Sequence, residues 1–190
     1  MKKTVFALLA LSAFVATPAL ADNTGKFYVA GDLGSASYSN VTVGAGTYPN
    51  PGVISIAGGY HFSPMLAAEV GYSMFGDSVL TNGFVTGTVS ASSLKIAAVG
   101  TYALNPQFDL IGKLGLANNS QKIVATAGGA SASVSGSQSD LLVGVGAQYN
   151  LSSQTSLRVQ YENFGKFGNF GTTGQKMSAS AISLGVAYTF

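Results

Sequence analysis

The 190-residue chain has no cysteine, so it offers neither a disulfide nor a thiolate site. Charged residues make up 8% of it, against about 25% in an ordinary soluble domain, while 47% are hydrophobic and glycine numbers 25. So few charges cannot cover a water-soluble globule of this length, and the formal charge of +2 is carried by Lys2 and Lys3 alone. The basic pI therefore says nothing of nucleic acid, and no nucleic-acid partner is expected.

Met1 to Ala21 reads as a secretory signal peptide. Lys2 and Lys3 form its charged start, Val5 to Ala16 is apolar except for Ser12, and Ala19-Leu20-Ala21 is a small-x-small cleavage site. Ala19 and Ala21 are its cleavage residues, and the mature domain is expected to span 22–190. The apolar run is shorter than the ~20 residues of a helical span, and no later stretch reaches that length.

Eight alternating segments follow: Lys26–Tyr38, Val53–Phe62, Met65–Phe75, Ser92–Ala103, Gln107–Ala117, Asp140–Tyr149, Thr155–Glu162 and Ala179–Phe190. A period of two marks strands with one apolar and one small or polar face. The last runs Ile182, Leu184, Val186, Tyr188, Phe190 against Ser183, Gly185, Ala187, Thr189 without a slip. Connections at Ser63-Pro64, Leu104-Asn105-Pro106 and Asn150–Gln154 are short. Those at 39–52, 76–91, 118–139 and 163–178 are long, and Thr126 to Ser137, rich in Gly, Ala and Ser, is expected to be a mobile loop. Short turns facing the periplasm and long loops facing outward are the arrangement of an outer-membrane barrel.

One parity carries the aliphatic and aromatic side chains and no charge. The other holds Asp32, Glu69, Lys95, Asp109, Lys113, Asp140, Arg158 and Glu162 among many small residues. Lysine or arginine facing lipid at mid-bilayer costs about 2–4 kcal/mol, which puts the apolar parity outside and the charges in the lumen. Phe27, Tyr60, Phe62, Tyr102, Phe108, Tyr149, Tyr188 and Phe190 cluster beside the short turns and termini, as an interfacial aromatic girdle does. Tyr72 and Tyr161 would begin the outer girdle. Tyr28, Ile111 and Leu142 fall on the lumen parity and are expected to fill a narrow interior.

These features, with Phe27-Tyr28-Val29-Ala30-Gly31-Asp32-Leu33-Gly34 at the start and Ala181 to Phe190 at the end, resemble the small outer-membrane β-barrel family of the OmpA transmembrane domain and the opacity proteins. The fold class this implies is all-β: an eight-stranded, antiparallel, up-and-down transmembrane barrel in the outer membrane. The resemblance also implies that Val186, Tyr188 and Phe190 are read by the barrel-assembly machinery. The peptidoglycan-binding domain of full-length OmpA is not expected here. A lumen network of ion pairs is implied as well, at Glu69, Lys95, Asp140 and Arg158 by strand order, with Lys113 nearby.

Function is less sharply marked. The expected role is structural or surface-interacting, in envelope integrity, adhesion or recognition through the loops, by a monomer whose partners are outer-membrane lipid and lipopolysaccharide. The lumen charges read either as a gate or as interior filling, so a narrow channel for small or apolar solutes is the first alternative. His61-Phe62-Ser63 repeats a His-x-Ser spacing of lipid A deacylases, and a lipid-modifying enzyme is the second, though a lone histidine at a strand end is the ordinary reading. Asn163 to Gly171, a Phe-Gly repeat, reads equally as an adhesive patch or as outer aromatic belt. No catalytic, cofactor or metal set is visible, and the chain is read as non-enzymatic.

Overall fold

The computed structural model describes residues 23–39, 50–82, 85–127, 130–167 and 177–190. The expected leader, with Ala19 and Ala21, lies outside the described residues. Eight strands, β1 (Phe27–Ser39), β2 (Gly52–Ser63), β3 (Leu66–Asn82), β4 (Val85–Ala103), β5 (Phe108–Ala127), β6 (Ala130–Asn150), β7 (Thr155–Phe167) and β8 (Met177–Thr189), pair in sequence order into a closed antiparallel barrel. β1 closes on β8 from Tyr28↔Thr189 to Ser39↔Ser178.

The turns at the end where Asn23 and Phe190 lie are locally encoded. Asn105 Oδ1 accepts the N–H groups of Gln107 and Phe108 at 2.9 Å each, and Ser152 Oγ accepts those of Gln154 and Thr155. Such side-chain turns need no tertiary support. The aromatic girdle stands at this end: Phe27 packs on Tyr60 at 4.8 Å, Tyr60 on Phe62, Phe108 on Tyr149, and Tyr188 on Phe190.

The two faces separate as the alternation requires. Phe27, Leu33, Ile56, Leu114, Val145, Ile182 and Leu184 are exposed on the outside, whereas Asp32, Glu69, Lys95, Asp109, Lys113, Arg158 and Glu162 are buried within. The apolar outer belt runs from Phe108 to Leu116 on β5 and from Leu141 to Tyr149 on β6, close to the ~9–11 residues a tilted strand needs to cross a bilayer. Tyr28, Ile111 and Leu142 are buried in the interior, as their parity predicts.

Two of the expected long loops are instead strand. The β3–β4 ladder continues to Asn82↔Val85 and the β5–β6 ladder to Ala127↔Ala130. Thr126 to Ser137 is therefore paired hairpin, apart from Gly128 and Gly129, which lie outside the described residues. The cause is that an antiparallel ladder is held by its backbone, and above the membrane neither face has to be apolar. Segments 76–82, 85–91, 118–127 and 130–139 thus form a four-stranded sheet standing beyond the barrel wall, since β2 pairs with β3 only as far as Phe75 and β7 with β6 only from Val143.

Candidate functional site: the lumen

The lumen holds six ionised side chains in one chain of alternating sign. Arg158 donates from Nε to Asp32 Oδ1 at 2.7 Å and from Nη2 to Asp32 Oδ2 at 2.6 Å, and from Nη1 to Glu69 Oε2 at 3.1 Å. Lys113 donates to Glu69 Oε1 at 2.7 Å and to Glu162 Oε1 at 3.2 Å, and Lys95 donates to Glu162 Oε2 at 2.6 Å. The order Asp32–Arg158–Glu69–Lys113–Glu162–Lys95 sums to zero charge. Tyr28 adds its hydroxyl, donating to Glu69 Oε2 at 3.0 Å. Ionised groups this buried persist because every one is paired and hydrogen-bonded.

Register explains how these partners reach one another. Residues opposite one another across a ladder share a rung, so two strands separated by a third can meet only over a small residue. Gly59 faces both Tyr28 and Glu69, Gly144 both Lys113 and Glu162, and Gly185 both Arg158 and Asp32. A Cβ on Gly144 would lie 3.2 Å from both Lys113 Cβ and Glu162 Cγ, and one on Gly185 would collide with the Asp32 carboxylate. Three of the contacts are therefore built over glycine.

Of the residues expected in this network, Glu69, Lys95, Lys113 and Arg158 are brought together, and Asp140 is not in the chain of six. Asp140 pairs with Ala117, four residues further out than the Lys113–Gly144 rung. Its carboxylate there accepts the N–H groups of Leu141 and Lys166 at 2.8 Å each. Asp32 and Glu162, placed in the lumen by parity but not assigned to the network, supply the missing acids.

Towards the outer end the lumen is filled by rings. Phe164 and Phe167 are fully buried and meet Phe75 at 5.3 and 5.5 Å, while Tyr38 packs on Phe75 and Phe167. Lys95 Nζ lies 5.4 Å from the Phe164 ring centre, joining the aromatic layer to the ionic one. The Phe-Gly segment is thus neither a surface patch nor a lipid belt where it is described; its residues from 168 on lie outside. Phe164 keeps the inward parity of Glu162, and a register shift between Asn163 and Gly165, with Gly165 at φ +71°, brings Phe167 inward as well. Asn119 Nδ2 fixes the bend by donating to the carbonyls of Phe164 at 2.7 Å and Lys166 at 3.0 Å.

At the opposite end a cavity of about 70 Å³ opens beneath the network, lined by His61, Asp109, Gln148, Asn150, Lys113 and Arg158 among others. Asp109 accepts Asn150 Nδ2 at 2.8 Å. His61 and Ser63 have separate partners: the imidazole stacks on Tyr28 at 4.9 Å, and Ser63 Oγ accepts the Met65 N–H. Among the described residues no group of three or more histidine, aspartate or glutamate side chains could hold a metal ion.

The family model described as "Outer membrane protein beta-barrel domain" matches residues 6–190. Outer membrane protein A of Shigella flexneri is 24% identical over 195 residues, covering 100% of this chain and 56% of that protein. The chain thus spans about half the length of the curated relatives it matches. Among solved structures, Neisserial surface protein A aligns with a TM-score of 0.64 at 19% identity, covering 86% of this chain and 97% of that one. Ail, the attachment invasion locus protein of Yersinia pestis, aligns at 0.60 and 18%, covering 88% and 99%, and has also been solved with the heparin analogue sucrose octasulfate. These likenesses are of fold, and they agree with the closed eight-stranded barrel and its apolar belt. The chain belongs to the outer-membrane protein β-barrel family and resides in the cell outer membrane.

Proposed function

We propose that this protein is a plugged barrel whose working part is its extracellular surface, serving adhesion, recognition or envelope integrity rather than solute transport. The observation that carries this reading is the double closure of the lumen. A complete ionic layer and an aromatic layer lie in series, while a four-stranded sheet is carried out beyond the membrane. A barrel that served as a pore would gain nothing from either filling. The sulfated-sugar ligand of Ail is not transferred. The described outer segments carry only Lys122 and Lys166 as cations, beside Asp77 and Asp140, too few for a polyanion.

Outward-facing Val186, Tyr188 and Phe190 on the last strand are proposed as the signal for the barrel-assembly machinery, and the molecule as a monomer within its own membrane. Lipopolysaccharide and phospholipid are its proposed lipid partners. The test expresses the full chain, and a variant lacking residues 120–137, in a Gram-negative host. Heat-dependent gel mobility checks that both form barrels, and attachment of single cells to matrix-coated surfaces is then measured. Loss of attachment in the trimmed variant is expected. Equal attachment by both would overturn the surface role, as would solute flux through liposomes carrying the intact protein.

A further inference from the structure

The sheet that stands beyond the barrel has two edges, and they differ. On β3 the edge carries Asp77 and a register shift between Phe75 and Ser78, both devices that blunt strand pairing. On β6, residues 130–139 have neither charge, proline nor bulge. Among the described residues nothing pairs with them on the side away from β5, because β7 joins β6 only from Val143 inward. Ser131, Ser133, Val134, Ser135, Ser137 and Ser139 are exposed. Such an edge presents main-chain donors and acceptors to any extended strand.

Its sequence is self-complementary. Ser131-Ala132-Ser133-Val134-Ser135-Gly136-Ser137-Gln138-Ser139 is symmetric in its serines about Ser135. Laid antiparallel on itself, it sets Ser131 opposite Ser139, Ser133 opposite Ser137 and Ser135 opposite its own copy. Hydroxyl pairs on one face are favourable across an antiparallel ladder, and no like charges meet. Geometry then selects where the second copy stands. Two copies in one membrane present their β6 edges in parallel, and a two-fold axis along the membrane normal would set each carbonyl against its own image. Two copies in facing membranes meet antiparallel, the arrangement in which a two-fold axis satisfies both edges.

We propose that the edge of β6 over residues 130–139, unpaired among the described residues, is a homophilic docking site, joining one barrel to a second copy in an apposed membrane through a two-fold antiparallel ladder centred on Ser135. This rests on the reading of the extracellular sheet as the working surface and names its partner. At ~3.3 Å per residue, the six residues from Ser135 to Leu141 on each side hold the two membranes at most roughly 40 Å apart.

The test uses the chain's lack of native cysteine. The full protein is placed in two vesicle populations with distinguishable tags, hairpins outward, and heat-dependent mobility confirms each variant's barrel. Light scattering is expected to show tethering, and Ser135→Cys to give a disulfide dimer joining the two tags under mild oxidation. Ser131→Cys and Ser139→Cys should each stay monomeric alone and cross-link when one population carries each. Ser133→Lys with Ser137→Lys, which places charges on the edge, should reduce tethering to the level of protein-free vesicles. Absence of tethering, equal cross-linking at all three positions, or tethering that survives the lysines would overturn the proposal. Pairing of the edge with an added extended peptide but not with itself would overturn it as well. Loss of single-cell attachment on trimming 120–137 reads the broader surface role separately, so either can fail alone.

Discussion

Arg158 grips Asp32 with two parallel hydrogen bonds although β8 lies between their strands and 126 residues separate them in sequence. The contact ties the last third of the barrel to its first strand, so it forms only when the cylinder closes. Removing the guanidinium strands the buried Asp32 carboxylate and takes one partner from Glu69, which keeps Lys113 and the Tyr28 hydroxyl. Arg158→Ala is therefore expected to destabilise the folded barrel by about 3–5 kcal/mol. Arg158→Lys keeps the charge but not the fork, and should fall between. Urea midpoints of the protein folded in lipid vesicles measure both.

Gly185 makes that grip possible. A side chain there would occupy the space of the Asp32 carboxylate and approach the Gly31 carbonyl within 2.5 Å. Gly185→Val should displace Asp32 from Arg158 and cost about 1–3 kcal/mol as overpacking. Gly31, on the lipid-facing parity of the adjacent rung opposite Val186, has nothing within 4 Å of an added Cβ. Gly31→Ala should leave the unfolding free energy within about 0.5 kcal/mol of the parent. Equal effects at the two glycines would contradict the spanning role assigned to Gly185.

The ionic and aromatic layers block one path in series, so breaking either alone leaves the other in place. Phe164→Ala with Phe167→Ala should open the outer layer, and charge reversal at Arg158 should open the inner one. In planar bilayers each change alone is expected to give traces like the parent, whereas the three together should conduct. Phe164→Ala alone should lower the unfolding free energy by about 3–5 kcal/mol, the ordinary cost of emptying a buried phenylalanine site. Full conductance from the arginine change alone would show that the rings do not seal the lumen.

How much of this was legible beforehand depended on contrast between the two faces. Where lipid lies on one side and a polar lumen on the other, alternation in strands such as Ile182 to Phe190 fixes identity, orientation and the inward charges. Beyond the membrane that contrast disappears. Ser131 to Ser139 alternates only between small and polar residues, so the ladder reads as loop; the remaining signals were Asn82-Gly83 and Gly128-Gly129, dipeptides that suit tight hairpins. Strand order alone places Asp140 in the network, because it gives neighbours but not height. The registers of β5 on β6 and of β6 on β7 set height, and together they bring Glu162 rather than Asp140 level with Lys113. A lumen glycine with a charge on each neighbouring strand, as at Gly144 and Gly185, is the pattern that marks such contacts once register is known.

The outer face of β6 changes from aliphatic to hydroxyl between Leu141 and Ser139, with Val143 and Val145 below and Ser137 and Ser135 above. This places the hydrocarbon boundary at Leu141, and an arginine scan down one strand can test it because every position shares the same side of the same ladder. Val145→Arg, deep in the belt, should cost about 2–4 kcal/mol, and Leu141→Arg about 0–1 kcal/mol as its side chain reaches the headgroups. Ser137→Arg, already in water, should cost nothing measurable. Folded fraction by heat-dependent mobility and the urea midpoint in vesicles give the gradient. A cost that stays level from Val145 to Ser137 would mean that the projecting sheet is not outside the bilayer, and the extracellular surface on which the proposed function depends would not exist.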